Sequence, residues 1–378
     1  MRTEPPVPAA ALAAIRAPFL AVGAAPVDAP ILQPLGLLLD LAGEAMRASL
    51  FVVQAEGGEE ACLRPDFTVA IARQHLDSGA GSGRYLYEGK AFRASPQADR
   101  PEEFLQLGLE RFDAADGPDP APADVEIAAL AWAAAAAGGR GDLTLWLGDV
   151  GLFAAFVDDL GLPETLAARL RRAAGRPRLL QAELARAGDT GAANGGGELA
   201  ARLAGLPEAA AADLLREVWA LAGIEPVGGR GPEAIAQRLV RRAEAAQAPA
   251  LSTDQAEAVR RFLAISDVPD DALAQVKAAA AKSSPAVDAA IELWRKRLAG
   301  LARLAPAAQL RFATALGHAF DYYDGLTFEI RSDALDGERP VASGGRYDGL
   351  LSRLGGEGAL RAVGCVVRPW LAFKGGEA

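Results

Sequence analysis

Leu35, Leu38, Leu39, Ala42, Met46 and Leu50 recur at helical spacing and fall on one face, so residues 35–50 are predicted as one amphipathic helix. Pro34 suits its first turn, where a missing N–H breaks no hydrogen bond. The run Phe51-Val-Val-Gln54 then reads as a strand, Glu56-Gly-Gly-Glu59 as a hairpin turn, and Ala61-Cys-Leu-Arg64 as the partner strand. Pro65-Asp66 opens a helix that carries Ile71 and His75. Tyr85–Phe92 is a strand, residues 94–102 are a loop rich in Pro, Gln and Asp, and Phe104–Phe112 is an alternating strand.

After Pro118-Asp-Pro-Ala-Pro122 the pattern predicts an alanine-rich helix, then a strand at Asp142-Leu-Thr-Leu-Trp-Leu147. From about Pro163 to Leu304 the pattern is nearly all helical. The best-marked helix there has Ser284 at its N-cap and Pro285 at its first position, with Val287, Ile291, Trp294, Leu298 and Leu301 along one face. Gly195-Gly-Gly197 has no strand before it and no Gly-Lys-Ser/Thr after it, so it reads as a linker and not a phosphate loop. Strand patterns return at Leu310–Phe312, Leu326–Arg331, Pro340–Ser343 and Ala362–Val367. The expected fold is α+β: a largely antiparallel sheet with flanking helices, interrupted by a helical insertion. That divides the chain into 1–162, 163–304 and 305–378.

Composition narrows the function classes. A chain of 378 residues has room for two or three domains. Its formal net charge of -10 argues against gripping a polyanion, which calls for a basic excess or stripe. Arg169-Leu-Arg-Arg172 and Arg241-Arg242 are short clusters in helical sequence and read as solvated helix faces. Two cysteines, Cys62 and Cys365, make no disulfide framework, and Cys62 is expected to pack as a small hydrophobe. Two histidines, His75 and His318, make a zinc site improbable, and His75 is given no role. The N-terminus lacks the pattern of a signal peptide, and no run of eighteen apolar residues is present. The expectation is a soluble cytoplasmic protein with no membrane span, no bound nucleic acid and no metal.

Chemistry first shows on the strand 104–112. Leu105, Leu107 and Leu109 point one way; Gln106, Gly108 and Glu110 point the other. The glycine leaves space between an amide and a carboxylate that lie about 13 Å apart along the strand, at about 3.3 Å per residue. Such a face could grip a ligand bearing an ammonium or an imidazole. Taken alone, the strand reads more readily as the exposed polar face of an antiparallel sheet, which is common.

Resemblance adds to this. Tyr85-Leu-Tyr-Glu-Gly-Lys-Ala-Phe-Arg93 with Glu103-Phe-Leu-Gln-Leu-Gly-Leu-Glu110, and Phe320-Asp-Tyr-Tyr-Asp-Gly-Leu-Thr-Phe-Glu329 with Ala342-Ser-Gly-Gly-Arg-Tyr-Asp-Gly-Leu350, together resemble the catalytic core of histidyl-tRNA synthetase, a class II aminoacyl-tRNA synthetase. The resemblance implies that Gln106 and Glu110 contact a histidine ligand. Leu63-Arg-Pro-Asp-Phe-Thr68 is similar to a signature in which Glu precedes Gly and Thr; Asp66 stands for the Glu, Phe67 for the Gly, and Thr68 matches. Asp66 could thus hold an α-ammonium, or serve as a helix N-cap, or both. Arg93 matches the motif 2 arginine, which touches the substrate carboxylate and the nucleotide phosphate in that family. Tyr322 and Tyr323 would wall the imidazole, and Gly344 and Gly345 would allow close backbone approach to the ligand.

Four departures bear on activity. Ser95 stands where the family has a Glu that contacts ATP. His318 stands for an arginine that drives adenylate formation and cannot supply its permanent charge or fork. Arg368-Pro-Trp-Leu371 replaces the Gly-Leu-Glu-Arg of motif 3, so its ATP-clamping arginine is expected to be missing. The chain ends eight residues after Trp370, so no anticodon-binding domain is expected. This combination is similar to the regulatory subunits of ATP phosphoribosyltransferase, which have no catalysis of their own. It implies no catalytic residue and no cofactor. It also implies a short-form catalytic subunit as partner, histidine as feedback ligand, and a homodimer through the helix beginning at Pro34. Two alternatives stay open: a truncated synthetase-like enzyme that needs ATP, or an amino-acid-binding module with another partner.

Overall fold

The computed structural model describes residues 2–54, 58, 60–114, 119–174, 177–188, 210, 213–214, 216–217, 249–280, 284–304, 309–316, 322–335, 337, 339–356 and 360–376. Most of the turn expected at 56–59, the linker Gly195–Gly197, Arg241-Arg242 and His318 lie outside the described residues. The chain divides into two compact units. The first holds Met1–Asp159, Ala174–Pro177 and Arg260–Ala378; the second holds Leu160–Ala173 and Arg178–Val259.

A nine-stranded sheet forms the first unit. At one edge β1 (Ala25–Pro26) runs parallel to β5 (Gly83–Phe92). The centre is antiparallel: β5, β6 (Glu103–Ala114), β12 (Leu360–Val367), β11 (Ala342–Arg346), β10 (Leu326–Ser332) and β7 (Leu143–Asp149). Beyond β7, β9 (Leu310–Ala313) runs parallel to it, and β8 (Ser266–Asp267) closes the other edge. A separate three-stranded sheet joins β2 (Leu32–Pro34), β4 (Ala61–Leu63) and β3 (Val52–Val53). The main sheet is largely antiparallel, with both parallel pairs near its edges.

Helices pack on the sheet, and its central strands β6, β12, β11 and β10 are mostly buried. Four helices precede β7: α1 (Ala9–Ala21), α2 (Leu35–Ala42), α3 (Thr68–Asp77) and α4 (Ala121–Ala137). On one face α4 buries Ile127, Ala128, Ala131, Ala134 and Ala135. Alanine adds little bulk, which lets the helix sit close to the strands. The helix Pro285–Leu301 lies on the same side; its Trp294 is fully buried and meets Phe312 of β9 edge-on at 4.8 Å. Ser284 caps that helix by accepting from the Val287 amide, as its sequence position predicts. Arg297 of this helix pairs with Asp124 of α4 (2.7 Å) and Asp149 of β7 (2.8 Å), and Arg346 of β11 pairs with Asp124 (2.6 Å). Through these contacts residues 285–301, inside the stretch expected as an insertion, pack with the first unit.

The smaller unit is helical among its described residues. The helix Glu164–Ala173 buries Leu166, Ala167 and Leu170, and Arg169 pairs with Glu183.

Four local expectations are corrected. The helix predicted over 35–50 stops at Ala42, because Gly43 takes the left-handed conformation (φ 85°) and a 3-10 turn, Glu44–Ser49, follows. Pro34 lies just outside this helix, in extended conformation, and the helix expected to open at Pro65-Asp66 begins at Thr68. The strand predicted at Pro340–Ser343 runs instead from Ala342 to Arg346, which puts Gly344 and Gly345 inside a central strand.

Candidate functional site

A cavity of about 600 Å³ opens over the face of the sheet opposite α4, within the usual range of small-molecule sites. Its floor comes from alternate residues of neighbouring strands: Tyr87, Gln106, Glu110, Glu329, Ser343 and Val366. Gln106 and Glu110 do share one face of β6, but that face is not exposed. Gln106 is 2% and Glu110 1% accessible.

Two glycines make room for this floor. A Cβ at Gly108 would overlap the Cys365 carbonyl and the Tyr87 hydroxyl, and a Cβ at Gly364 would overlap the Glu110 carboxylate. Glu110 accepts hydrogen bonds from the hydroxyls of Thr68 (2.7 Å) and Tyr347. Burial pushes its carboxyl up to about 8, while the Tyr347 and Thr68 hydroxyls pull it down. The Gln106 amide reaches the cavity with its Oε1 buried and unpartnered among the described residues. Orphaned buried polar atoms are expensive, so this amide is set to meet a ligand donor.

Asp66 sits where the chain turns into α3, one residue before its N-cap Phe67, which makes no side-chain cap bond. Its carboxylate accepts from the Tyr322 hydroxyl (3.2 Å) and is favoured in its charged form by the nearby Thr68 and Val69 amides, while lining the cavity. Burial raises its pKa, opposed first by the Arg93 guanidinium. Tyr322, Tyr323 and Tyr347 form an aromatic corner, with ring centroids 4.8 to 6.2 Å apart. Phe67, where the synthetase signature has a glycine, stacks on Tyr87 at 4.6 Å and lies under Arg64 at 4.0 Å. It thus buttresses the cavity wall from behind.

The other end of the cavity is cationic. Arg93 donates from Nε to the Pro65 carbonyl (2.9 Å) and lies over the Phe104 ring. Arg368 stacks on the same ring at 3.8 Å and pairs with Glu4 at 2.7 Å. Arg339 and Ser95 line this end as well. Arg368 was missed in the sequence because its motif 3 register differs from the synthetase's. The signal was an arginine directly after a strand, and the fold brings its guanidinium to the cavity.

Asp66, Thr68, Arg93, Gln106, Glu110, Tyr322 and Tyr323 are therefore together. Gly344 and Gly345 are not among the lining residues. A Cβ at Gly345 would strike the Tyr323 ring (2.8 Å), and one at Gly344 the Phe328 ring (2.6 Å). Their closeness is to the protein itself: Gly345 lets Tyr323 lie against the strand. His75 is buried away from the cavity, stacked on Phe112 at 4.4 Å with Nδ1 2.9 Å from the Tyr85 hydroxyl. Among the described residues no group of three or more His, Cys, Asp or Glu is placed to hold a metal ion, and no helix is long and apolar enough to cross a membrane. The arrangement suits a small zwitterion: carboxylates and phenols at one end for a cation or imidazole, guanidiniums at the other for an anion.

Comparison with known proteins agrees with this architecture. The histidyl-tRNA synthetase family matches residues 9–224 and 211–369. An ATP phosphoribosyltransferase regulatory subunit of Mesorhizobium japonicum is 38% identical over 351 residues, 91% of each chain. Those of Brucella anthropi and a Chelativorans species are 32% and 34% identical over 91% and 89% of this chain. Among solved structures, an ATP phosphoribosyltransferase regulatory subunit/histidyl-tRNA synthetase from Bacillus halodurans superposes with a TM-score of 0.62 at 21% identity, covering 97% of this chain and 78% of that one. Histidyl-tRNA synthetase from Nostoc gives 0.59 at 15% identity, covering 96% and 69%. The solved structures fix the fold, a class II synthetase core; the sequence relatives fix the branch, and the chain belongs to the family of ATP phosphoribosyltransferase regulatory subunits.

Proposed function

We propose that the cavity binds histidine, and that the chain conveys its occupancy to a short-form ATP phosphoribosyltransferase catalytic subunit while performing no catalysis itself. The observation that carries this reading is the buried Glu110, held by Thr68 and Tyr347 on a cavity floor that also carries the unpartnered Gln106 amide oxygen. A neutral imidazole carries an N–H donor, which the Glu110 carboxylate can accept. Asp66 offers a second carboxylate for the α-ammonium, and Arg93 a fork for the α-carboxylate. Adenylation is disfavoured by Ser95, which is too short to replace a glutamate, and by the commitment of Arg368 to the buried Glu4. Histidine sensing coupled to the committed step of its own synthesis fits a cytoplasmic subunit.

The chain is also read as a homodimer. Ile31, Leu32, Val52 and Val53, on and beside the two outer strands of the three-stranded sheet, are 36–54% exposed, apolar area that a second copy would cover.

The test is an ATP phosphoribosyltransferase assay on the short catalytic subunit, with and without this chain, across a histidine titration. Activation that histidine reverses is expected. An active catalytic subunit that ignores this chain would sink the reading, and histidine-dependent pyrophosphate exchange by the chain alone would replace it with an enzymatic one.

A further inference from the structure

The residue after the tyrosine pair is anchored outside the cavity. The Asp324 carboxylate accepts hydrogen bonds from the backbone amides of Asp348 (3.1 Å) and Gly349 (2.6 Å), the first residues of the helix Asp348–Arg353. That helix has no cap from its own N-cap residue, because Tyr347 has no short side-chain acceptor to reach the first-turn amides. Asp324 supplies the missing acceptor from a distance. A backbone bond from the Asp324 amide to the Arg346 carbonyl (3.0 Å) closes the same joint.

The opposite end of this helix is anchored too. Arg353 donates from Nη2 to the carbonyls of Leu41 (2.7 Å) and Asp40 (3.2 Å), in the last turn of α2. Those carbonyls lack partners within α2, so the guanidinium caps one helix from another. Between the two anchors, Leu350 and Leu351 are each 1% exposed and share a core with Leu35, Leu38, Leu39, Tyr322 and Tyr347. The helix is six residues long, or roughly 9 Å at 1.5 Å per residue. α2 continues directly from β2, an outer strand of the three-stranded sheet.

We propose that the helix Asp348–Arg353 is a strut coupling the cavity to α2 and its three-stranded sheet, with Asp324 and Arg353 as positioning residues at its two ends. It goes beyond the histidine-sensor reading and does not need histidine to be the ligand. Any occupant that shifts Tyr322 and Tyr323 pulls on Asp324. A close-packed helix held at both ends and along its apolar face moves as a unit and does not deform, so the shift reaches the last turn of α2.

A double-mutant cycle in the ligand-free chain tests this, read by hydrogen exchange at the α2 amides 39–43. Asp324→Ala and Arg353→Gln are each expected to speed exchange there about threefold or more, and the double variant no more than either single, because coupled sites are non-additive. Asp324→Asn, which keeps one acceptor oxygen, is expected to give a smaller rise. The strut is refuted if Asp324→Ala leaves α2 exchange at the wild-type rate, or if the two effects multiply. Saturating histidine adds a second arm. It should protect 104–110 in wild type and Arg353→Gln alike, but slow exchange at 39–43 only in wild type. Equal slowing in Arg353→Gln overturns the strut. Protection of 104–110 in neither overturns histidine as the ligand, and the cycle still decides the strut.

Discussion

Glu110 is a buried carboxyl under strong electrostatic tension in the cavity. A carboxyl that burial lifts to about 8 is mostly protonated at neutral pH in the empty site. Its protonated form is favoured by folding, so its stabilising contribution is complete below the ordinary glutamate value of 4.5 and is lost as pH rises to about 8. The ligand-free chain is therefore expected to lose stability between pH 5.5 and 8, and Glu110→Gln to lose less, with urea midpoints at the two pH values as the check. With histidine as ligand, Glu110→Ala or Tyr322→Phe removes one contact to a buried group, which costs about 1–3 kcal/mol. Half-inhibition of the complex should then need roughly five- to hundredfold more histidine, with assembly intact. Unchanged inhibition in both variants would remove these residues from the ligand site. Gln106 and Glu110 were legible from alternation alone, but their burial was not. A period of two reports which side chains share a face, and only the neighbouring strands and the Asp66–Thr68 turn decide whether that face sees water.

At the scale of elements, the helix Pro285–Leu301 illustrates what a pattern specifies. Its cap, its proline and its apolar stripe predict the element and its inward face. They do not predict where it docks. The docking partner follows from Arg297, which sits 2% exposed between Asp124 and Asp149, with Trp294 donating to Asp149 at 2.8 Å. Breaking such a buried network by removing one partner is costly because it strands a buried charge. Arg297→Met is expected to destabilise the chain by about 3–5 kcal/mol in denaturant unfolding; a loss below 1 kcal/mol would mean that Arg346 alone satisfies Asp124. The helix predicted over 35–50 teaches the converse. Its apolar spacing runs on past residue 42, yet Gly43 turns left-handed and ends it. Periodicity measures which residues want to be buried, and a glycine that readily takes positive φ can change the backbone path without changing that demand.

At the scale of the whole molecule, the exposed apolar residues of β2 and β3 make an assembly prediction. Val52→Asp places a charge on a surface that a second copy would bury, and is expected to convert a dimer into a monomer in sedimentation without loss of helicity. A dimer that survives Val52→Asp would move the interface elsewhere. The sequence by itself determined the α+β class, most of the strands along the chain and the residue types of the cavity. Those depend on local spacing and on short motifs, which the chain carries whatever its tertiary fold. Only the tertiary structure decided that Glu4 and Arg368, 364 residues apart, form one ion pair beside the cavity. It also decided that Gly344 and Gly345 make room for the Phe328 and Tyr323 rings and for neighbouring backbone carbonyls, and that Asp324 and Arg353 anchor one short helix at its two ends. Each of these is a contact between segments distant in sequence, and only the packing of the sheet brings them within hydrogen-bonding reach.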